Sequence, residues 1–395
     1  MEKPNIYFIV SHPIQYFVPL YKYLAKNETV NTKVFFLSDE TVKGGIDKQF
    51  GVKFTWDIPL LEGYDYAFVK NASLKPSINN GFWGIFNPGM IVNLWRLPKG
   101  MVIVSGWNFS SYWVCYFFAF LFGHSVAIRC EAPAFKEAHR KGIKKHIRKL
   151  LIGKILLNGL VDKCLYVGQQ NKAFYKHFSI AEEKLVFSPY SIDNERFKSG
   201  VALYDKWEQR KHLGIEPDDF VILFTGKFTP VKRPIDLVKA FHKLDLLKRR
   251  LVLVGDGVLK DEMSMYIENC KVAGVHFTGF INQRELPKYY ALADVLVLCS
   301  ESETWGLSVN EAMACGLPII VSDTVGCAED LVHSGLNGFI FLKGDVDSLT
   351  RALQSISGQR NGISNMGLES ERIINDYTIE KSAEGIVSAA KRSLR

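Results

Sequence analysis

The sequence predicts an α/β protein made of two doubly wound domains. Three observations carry that prediction. The chain has 395 residues, enough for two or three domains at roughly 150 residues each. Short apolar runs alternate with amphipathic helical stretches in both halves, the pattern of parallel sheets covered on both faces. A charged stretch at 204–212 fits neither series, so the boundary is expected between Asn194 and Asp219. Hydrophobic residues at 47% and charged residues at 23% are ordinary for a globular chain and exclude a disordered or collagen-like one.

In the first half the strand-like runs are 5–10 (NIYFIV), 33–37 (KVFFL), 101–105 (MVIVS), 126–129 (VAIR) and 163–167 (KCLYV). The longest run without Asp, Glu, Lys or Arg is 100–128. Gly106, Asn108, Ser110, Ser111, Gly123 and His124 interrupt it, so it reads as strand, buried helix and strand rather than one spanning helix. In the second half, 220–224 (FVILF) ends at Thr225-Gly226 before a helical pattern over 234–247. The run 250–254 (RLVLV) ends in Gly255-Asp256-Gly257 before another over 259–273; runs at 275–278, 295–299 and 318–322 continue the series. Two such domains meet in a cleft, and ligands of doubly wound sheets bind outside the carboxyl ends of the strands.

The seven cysteines are odd in number and contain no CxxC pair, which argues for buried thiols over a disulfide framework or zinc site. No basic-then-apolar leader opens the chain, so a cytoplasmic protein is expected. Charge is segregated: residues 1–200 hold 26 Lys and Arg against 15 Asp and Glu, a net +11, whereas 201–395 carry −3. The two halves therefore face different partners.

The densest motif is the stretch 300–318, SESETWGLSVNEAMACGLP. It follows a buried strand and opens a helix that Gly316 terminates. The start of that helix, around Trp305-Gly306-Leu307, presents N–H groups and the positive dipole end to an anion. Glu303 and Glu311 are eight residues apart, about 12 Å of rise if helical, suited to opposite ends of a sugar–diphosphate–ribose. On the residues alone, two solvated glutamates fit equally well.

This stretch resembles the E-x7-E signature of retaining glycosyltransferases of the GT-B fold, glycosyltransferase family 4 in particular, with Trp305 where that family usually carries Phe. Thr225 to Arg233 resembles its G-R-x-x-x-x-K-G segment, with Lys227 in place of Arg. Leu253 to Gly257 resembles L-V-G-D-G, Phe277 to Ile281 the strand and loop that meet the base, and Val325 to Glu329 an imperfect V-G-G-x-P-E. The resemblance implies two Rossmann-like domains facing a cleft: an acceptor domain at 1–200, a donor domain at 201–375, and a final helix at 376–395 crossing back to the first. It implies a nucleotide-sugar co-substrate, UDP- or GDP-linked, no cofactor and no metal. Lys227 and Lys232 would clamp the diphosphate, Glu311 the ribose and Glu303 the transferred sugar. Gly226, Ile281, Thr304, Trp305, Gly306 and Leu307 would complete the donor site. Between Lys232 and Glu303 the bond to the leaving diphosphate would break.

The first half supplies acceptor candidates. His12 and Gln15 follow the first strand, and Arg129 and Glu131 end another. His12 and Glu131 are the groups able to orient or deprotonate an acceptor hydroxyl; an ordinary structural histidine and an Arg129–Glu131 ion pair are the alternatives. The acceptor would be a saccharide or a lipid-linked one, as in cell-surface glycan synthesis. A nucleotide-sugar epimerase and a non-catalytic nucleotide-sugar binder are the competing functions.

Residues 136–163 hold nine Lys and Arg against Glu137 and Asp162. Ile143, Ile147, Leu150 and Leu151 recur at helical spacing, so this is a basic amphipathic helix. A solvated face, an anionic membrane at the cytoplasmic side and another polyanion remain open; no nucleic-acid recognition motif accompanies it.

Overall fold

The computed structural model describes residues 3–43, 46–47, 52–53, 57–138, 140–359 and 362–393. They form two compact units: the described residues of 1–45, 54–190 and 379–395, and those of 46–53 and 191–378.

Unit 1 is built on seven strands, β1 Asn5–Val10, β2 Asn31–Phe36, β5 Tyr66–Phe68, β6 Met101–Val104, β7 Ser125–Arg129, β8 Lys163–Tyr166 and β9 Leu185–Phe187. Between β2 and β5, β3 Ile46–Asp47 and β4 Val52–Lys53 form a small antiparallel pair. The large sheet is parallel in the order β5-β2-β1-β6-β7-β8-β9. Its helices are α1 Val18–Lys26, α2 Gly89–Arg96, α3 Ser110–Leu121, α4 Ala134–Ala138, α5 Ile143–Arg148, a π-helix at Lys149–Leu160, and α6 Gln169–His177. Alternation along β1 divides the core between the two faces of the sheet. Tyr7 and Ile9 pack with Met90 and Leu94 of α2, Cys115 and Tyr116 of α3 and Ile152 and Leu156 of the π-helix. Ile6, Phe8 and Val10 pack with Leu20 and Leu24 of α1 on the other face.

Unit 2 has six parallel strands, β10 Phe220–Thr225, β11 Arg249–Val254, β12 Val275–Gly279, β13 Val295–Leu298, β14 Ile319–Ser322 and β15 Gly338–Phe341, in the order β12-β11-β10-β13-β14-β15. Its helices are α7 Asn194–Ala202, α8 Lys206–His212, α9 Pro234–Lys243, α10 Lys260–Asn269, α11 Leu286–Leu292, α12 Leu307–Ala314, α13 Ala328–Leu331, α14 Val346–Ser357 and α15 Ile363–Ile374. Every residue of β10 is buried, as expected of a central parallel strand. The main segment of unit 2 begins at Ser191, before residue 200, because α7 packs on α11 and α12. Its Phe197 is wholly buried and meets the Tyr290 ring edge-on at 5.9 Å. Asp345 caps α14 by accepting from the Ser348 N–H at 2.9 Å.

The last helix, α16 Ile379–Ser393, belongs to unit 1. Ala383, Ile386, Ala389 and Ala390 join the α1 side of its core at 0–1% exposure. A Cβ on Gly385 would stand 2.0 Å from the Phe187 carbonyl oxygen, so only glycine lets the helix approach β9 so closely. Ser188 Oγ lies 3.0 Å from Ser382 Oγ, and Arg129 Nη2 donates to Pro189 O at 3.2 Å and Ser382 Oγ at 3.3 Å.

Two features of unit 1 correct the sequence reading. Helix α3 is buried on one side only, where Tyr112, Cys115, Tyr116 and Ala119 join the core. Its polar groups turn inward: Ser110 Oγ donates to Ile85 O at 2.8 Å, Ser111 Oγ to Asn87 Oδ1 at 2.8 Å, and Tyr116 Oη to Gly106 O at 3.0 Å. Phe117, Phe120 and Leu121 are left 51–58% exposed. Arg148, one of the nine cations of 136–163, turns inward. Its Nε and Nη2 donate to the two oxygens of buried Glu137, both at 2.9 Å. Burial pushes the Glu137 carboxyl up, but the Arg148 and Arg140 guanidiniums outweigh it and hold the carboxyl below its usual range.

Candidate active site

Every donor-site candidate lies past the carboxyl end of a unit 2 strand. Gly226 and Lys227 follow β10, Ile281 follows β12, and Glu303 to Leu307 follow β13. From β10 the chain winds through β11 to β12 at one edge and then returns to β13 on the other side of β10. The reversal point, where loops diverge and leave a crevice, is between β10 and β13. Lys227, Lys232 and Glu303 all stand beside it.

The two loops at that point are joined by ion pairs. Lys232 Nζ pairs with Glu303 Oε2, both groups partly buried. The neighbouring Arg233 takes Asp236 at 2.6 Å and Glu301 at 2.9 Å. Glu301 N–H donates to Val231 O at 2.8 Å, so the backbone joins the loops as well. Glu303 itself is in the loop, bridged to Val325, with its N–H on Thr324 O at 3.1 Å. Helical rise therefore does not apply between Glu303 and Glu311. Helix α12 begins only at Leu307, after Gly306 at φ 108° with no side-chain cap.

Glu311 is 1% exposed. A carboxylate taken out of water needs donors, and Tyr290 Oη supplies one at 2.6 Å while lying 3.3 Å from Thr225 Oγ1. Burial first, and the Glu311 charge second, push the Tyr290 phenol well above its ordinary value, so it remains a donor. Tyr290 was missed in the sequence because nothing in its spacing marks it; it reaches the site from α11, 21 positions from Glu311.

Trp305 is corrected in one respect. Its side chain is 2% exposed and turned into the unit, Nε1 donating to Asn310 Oδ1 at 2.8 Å and the ring 5.9 Å from that of Tyr377. The ring braces the loop from inside the unit. The L-V-G-D-G turn has a packing cause: a Cβ on Gly255 would fall 1.9 Å from the Gly226 carbonyl oxygen, and Phe228 N–H donates to Asp256 O at 2.9 Å. The turn seats the Lys227 loop. Ile281 is half-buried, beside a segment held by Arg196, whose Nη1 and Nη2 donate to Gln283 O and Oε1 at 3.0 and 2.6 Å.

In unit 1, His12 and Gln15 follow β1, both partly exposed. His12 Nδ1 lies 2.9 Å from Ser11 Oγ, and Ser11 is hydrogen-bonded in turn to the buried Tyr112 hydroxyl. Burial, against a smaller opposing pull from Glu40, pushes His12 down to about 4; the imidazole is neutral at pH 7. Glu131 is hydrogen-bonded to the Tyr190 hydroxyl. Arg129 is 9% exposed, its guanidinium 5.4 and 5.7 Å from the Phe17 and Tyr190 rings, which stack on each other at 5.6 Å. Its Nη2, bonded to Pro189 and Ser382, anchors α16, while its buried Nε has no hydrogen-bond partner. Among the described residues no group of three or more His, Cys, Asp or Glu could hold a metal ion, and no helix is long and apolar enough to cross a membrane.

Two parallel-sheet α/β units, with the final helix returned to the first, define the GT-B class of fold. Anabaena HepE, crystallised with UDP and glucose, shares it over 98% of both chains with a TM-score of 0.72 at 16% identity. Residues 205–371 match the model of the family described as Glycosyl transferases group 1. An uncharacterized glycosyltransferase of Methanocaldococcus jannaschii is 33% identical over 178 residues, 44% of each chain. The alpha-monoglucosyldiacylglycerol synthase of Acholeplasma laidlawii is 33% identical over 172 residues, 42% of this chain and 41% of that one. The chain spans about half the length of the curated relatives it matches.

Proposed function

We propose that the protein is a retaining, metal-independent glycosyltransferase that moves a sugar from a nucleotide donor to an acceptor hydroxyl. The observation that carries this is the Lys232–Glu303 ion pair at the reversal point of the unit 2 sheet, within the segment that matches the family. Lys227 and Lys232 take the donor diphosphate, whose negative charge grows as the glycosidic bond breaks. Glu303, freed from Lys232, takes the hydroxyls of the transferred sugar. Glu311, fixed by Tyr290, accepts from the ribose, and the Ile281 backbone meets the base. The acceptor oxygen forms its bond on the face that the diphosphate leaves, and its proton passes to that diphosphate. His12, Gln15 and Glu131 contact the acceptor.

The donor is UDP- or GDP-linked; UDP in HepE supports the first. The acceptor is a saccharide or a lipid-linked one at the cytoplasmic membrane face, a reading supported by the diacylglycerol lipid in the name of the Acholeplasma relative and by the cations of 136–163. The test is a panel of UDP-, GDP- and ADP-sugars scored by thermal shift, since a ligand of the folded state raises stability by mass action. Stabilisers are then incubated with and without acceptor saccharides. Transfer that needs an acceptor supports the proposal; a new nucleotide sugar formed from donor alone marks an epimerase and overturns it.

A further inference from the structure

The helices on the α3 side of the unit 1 sheet carry an apolar surface that the donor chemistry does not use. Helices α2, α3 and the π-helix lie against that face, α3 touching both of the others, so their outer sides point the same way. Helix α3 buries Tyr112, Cys115, Tyr116 and Ala119 in the core and leaves Phe117, Phe120 and Leu121 exposed by 51%, 53% and 58%. Val92 and Trp95 of α2 add 48% and 67% on one flank. On the other, Ile143 and Ile147 of α5 and Leu150, Leu151 and Ile155 of the π-helix are 41–75% exposed. A helix apolar all round is ordinarily buried, and a contiguous exposed patch of this kind marks an interaction surface.

Charge selects the occupant. Lys144, Lys145, Lys149 and Lys154 are exposed along the α5 and π-helix flank, and α2, α3, α5 and the π-helix contain no Asp or Glu. A second copy of the chain would oppose these lysines with its own and offer no carboxylate to pair them, whereas protein interfaces are depleted in Lys. An anionic lipid leaflet answers both the lysines and the aromatic side chains.

We propose that this face is a monotopic membrane-docking surface, in which lysines of α5 and the π-helix meet anionic headgroups and the Phe117, Phe120 and Leu121 ridge of α3 enters the headgroup–acyl boundary. This deepens the membrane contact proposed for 136–163, and rests on it, by adding an apolar component that salt does not screen. Arg148 takes no part, being held by Glu137.

The experiment is co-sedimentation of the full chain with vesicles of phosphatidylcholine, with and without phosphatidylglycerol, at about 0.1 M and about 0.5 M salt. Fluorescence quenching by brominated acyl chains is read alongside, with Trp95→Phe to assign the reporter. The wild type is expected to bind only the anionic vesicles, to keep a bound fraction at the higher salt, and to be quenched. Replacing Lys144, Lys145 and Lys149 by Glu should weaken binding by about 100-fold or more at low salt. Phe117→Ser, Phe120→Ser and Leu121→Ser together should abolish the salt-resistant fraction and the quenching while leaving the thermal melt unchanged. Binding that salt removes wholly, with the α3 variant equal to wild type, overturns the ridge and leaves the electrostatic contact standing. No binding at either salt overturns both. A wild-type dimer that the α3 variant converts to monomer makes the face a self-interface and overturns the proposal.

Discussion

Lys232 and Glu303, 71 positions apart in the sequence, share one ion pair at the point where the unit 2 sheet reverses its winding. Each is the other's counter-charge, and each is assigned a different part of the donor. On the proposed function the pair stands in for ligand: a diphosphate would replace Glu303 as partner of the ammonium, and the carboxylate would turn to sugar hydroxyls.

Removing the ammonium should damage the chemical step. Lys232→Ala is expected to lower kcat by about 10²–10³-fold, because the charge that it faces is largest in the transition state. Steady-state rates at saturating donor check this, and near-normal turnover would take Lys232 out of the site.

Glu311 should behave differently. A ribose contact is made before and during reaction alike, so Glu311→Gln is expected to weaken donor binding by roughly 10–100-fold with a smaller effect on kcat. Tyr290→Phe should move donor affinity the same way, more weakly, since it acts through the orientation of Glu311. Titration calorimetry with the nucleotide sugar separates the two; unchanged affinity in Glu311→Gln would contradict the ribose role.

His12 gives a pH dependence. Its pKa is pushed down to about 4 in the folded chain, against an unfolded value near 6.5. Between those values the unfolded chain binds more protons, so this contribution is present in full above about pH 6.5 and lost as pH falls toward 4. His12→Asn should therefore flatten the decline in urea midpoint between about pH 7.5 and 5. An identical decline in both proteins would show that His12 is not shielded from water.

The Gly385 contact tests the role of α16. Gly385→Val places a side chain where even a Cβ would stand 2.0 Å from the Phe187 oxygen, and overpacking of that kind costs about 1–3 kcal/mol. A lower melting temperature is expected, with a loss at least as large for Arg129→Met, which empties the clamp on Pro189 and Ser382. A Gly385→Val chain with the wild-type melt would mean that the helix is held loosely.

Much of this architecture was legible in local pattern. Strands such as Phe220–Thr225 are continuous apolar runs ended by glycine, and the loops after them hold Lys227, Lys232 and Glu303 because turn chemistry is written within a few residues. What was not legible depends on partners far away in sequence. Arg129 reads as a strand-end cation until Ser382, 253 positions on, is brought beneath it. Arg148 reads as one of the nine cations of 136–163, and only the fold supplies Glu137. The exposed side of α3 was hidden because the helix is apolar all round, and the acceptors that draw Ser110 and Tyr116 inward, Ile85 O and Gly106 O, lie on separate loops. The edge strands Tyr66–Phe68 and Leu185–Phe187, three residues each, are too short to show a period.

Anomeric configuration is the most direct measure of the central claim. Wild-type protein, a thermally stabilising α-linked nucleotide sugar and an acceptor or water are followed by proton NMR from the first turnovers, before mutarotation. The α anomer should appear first, and Lys232→Ala should suppress its appearance. A β anomer released first would contradict same-face attack beside the departing diphosphate.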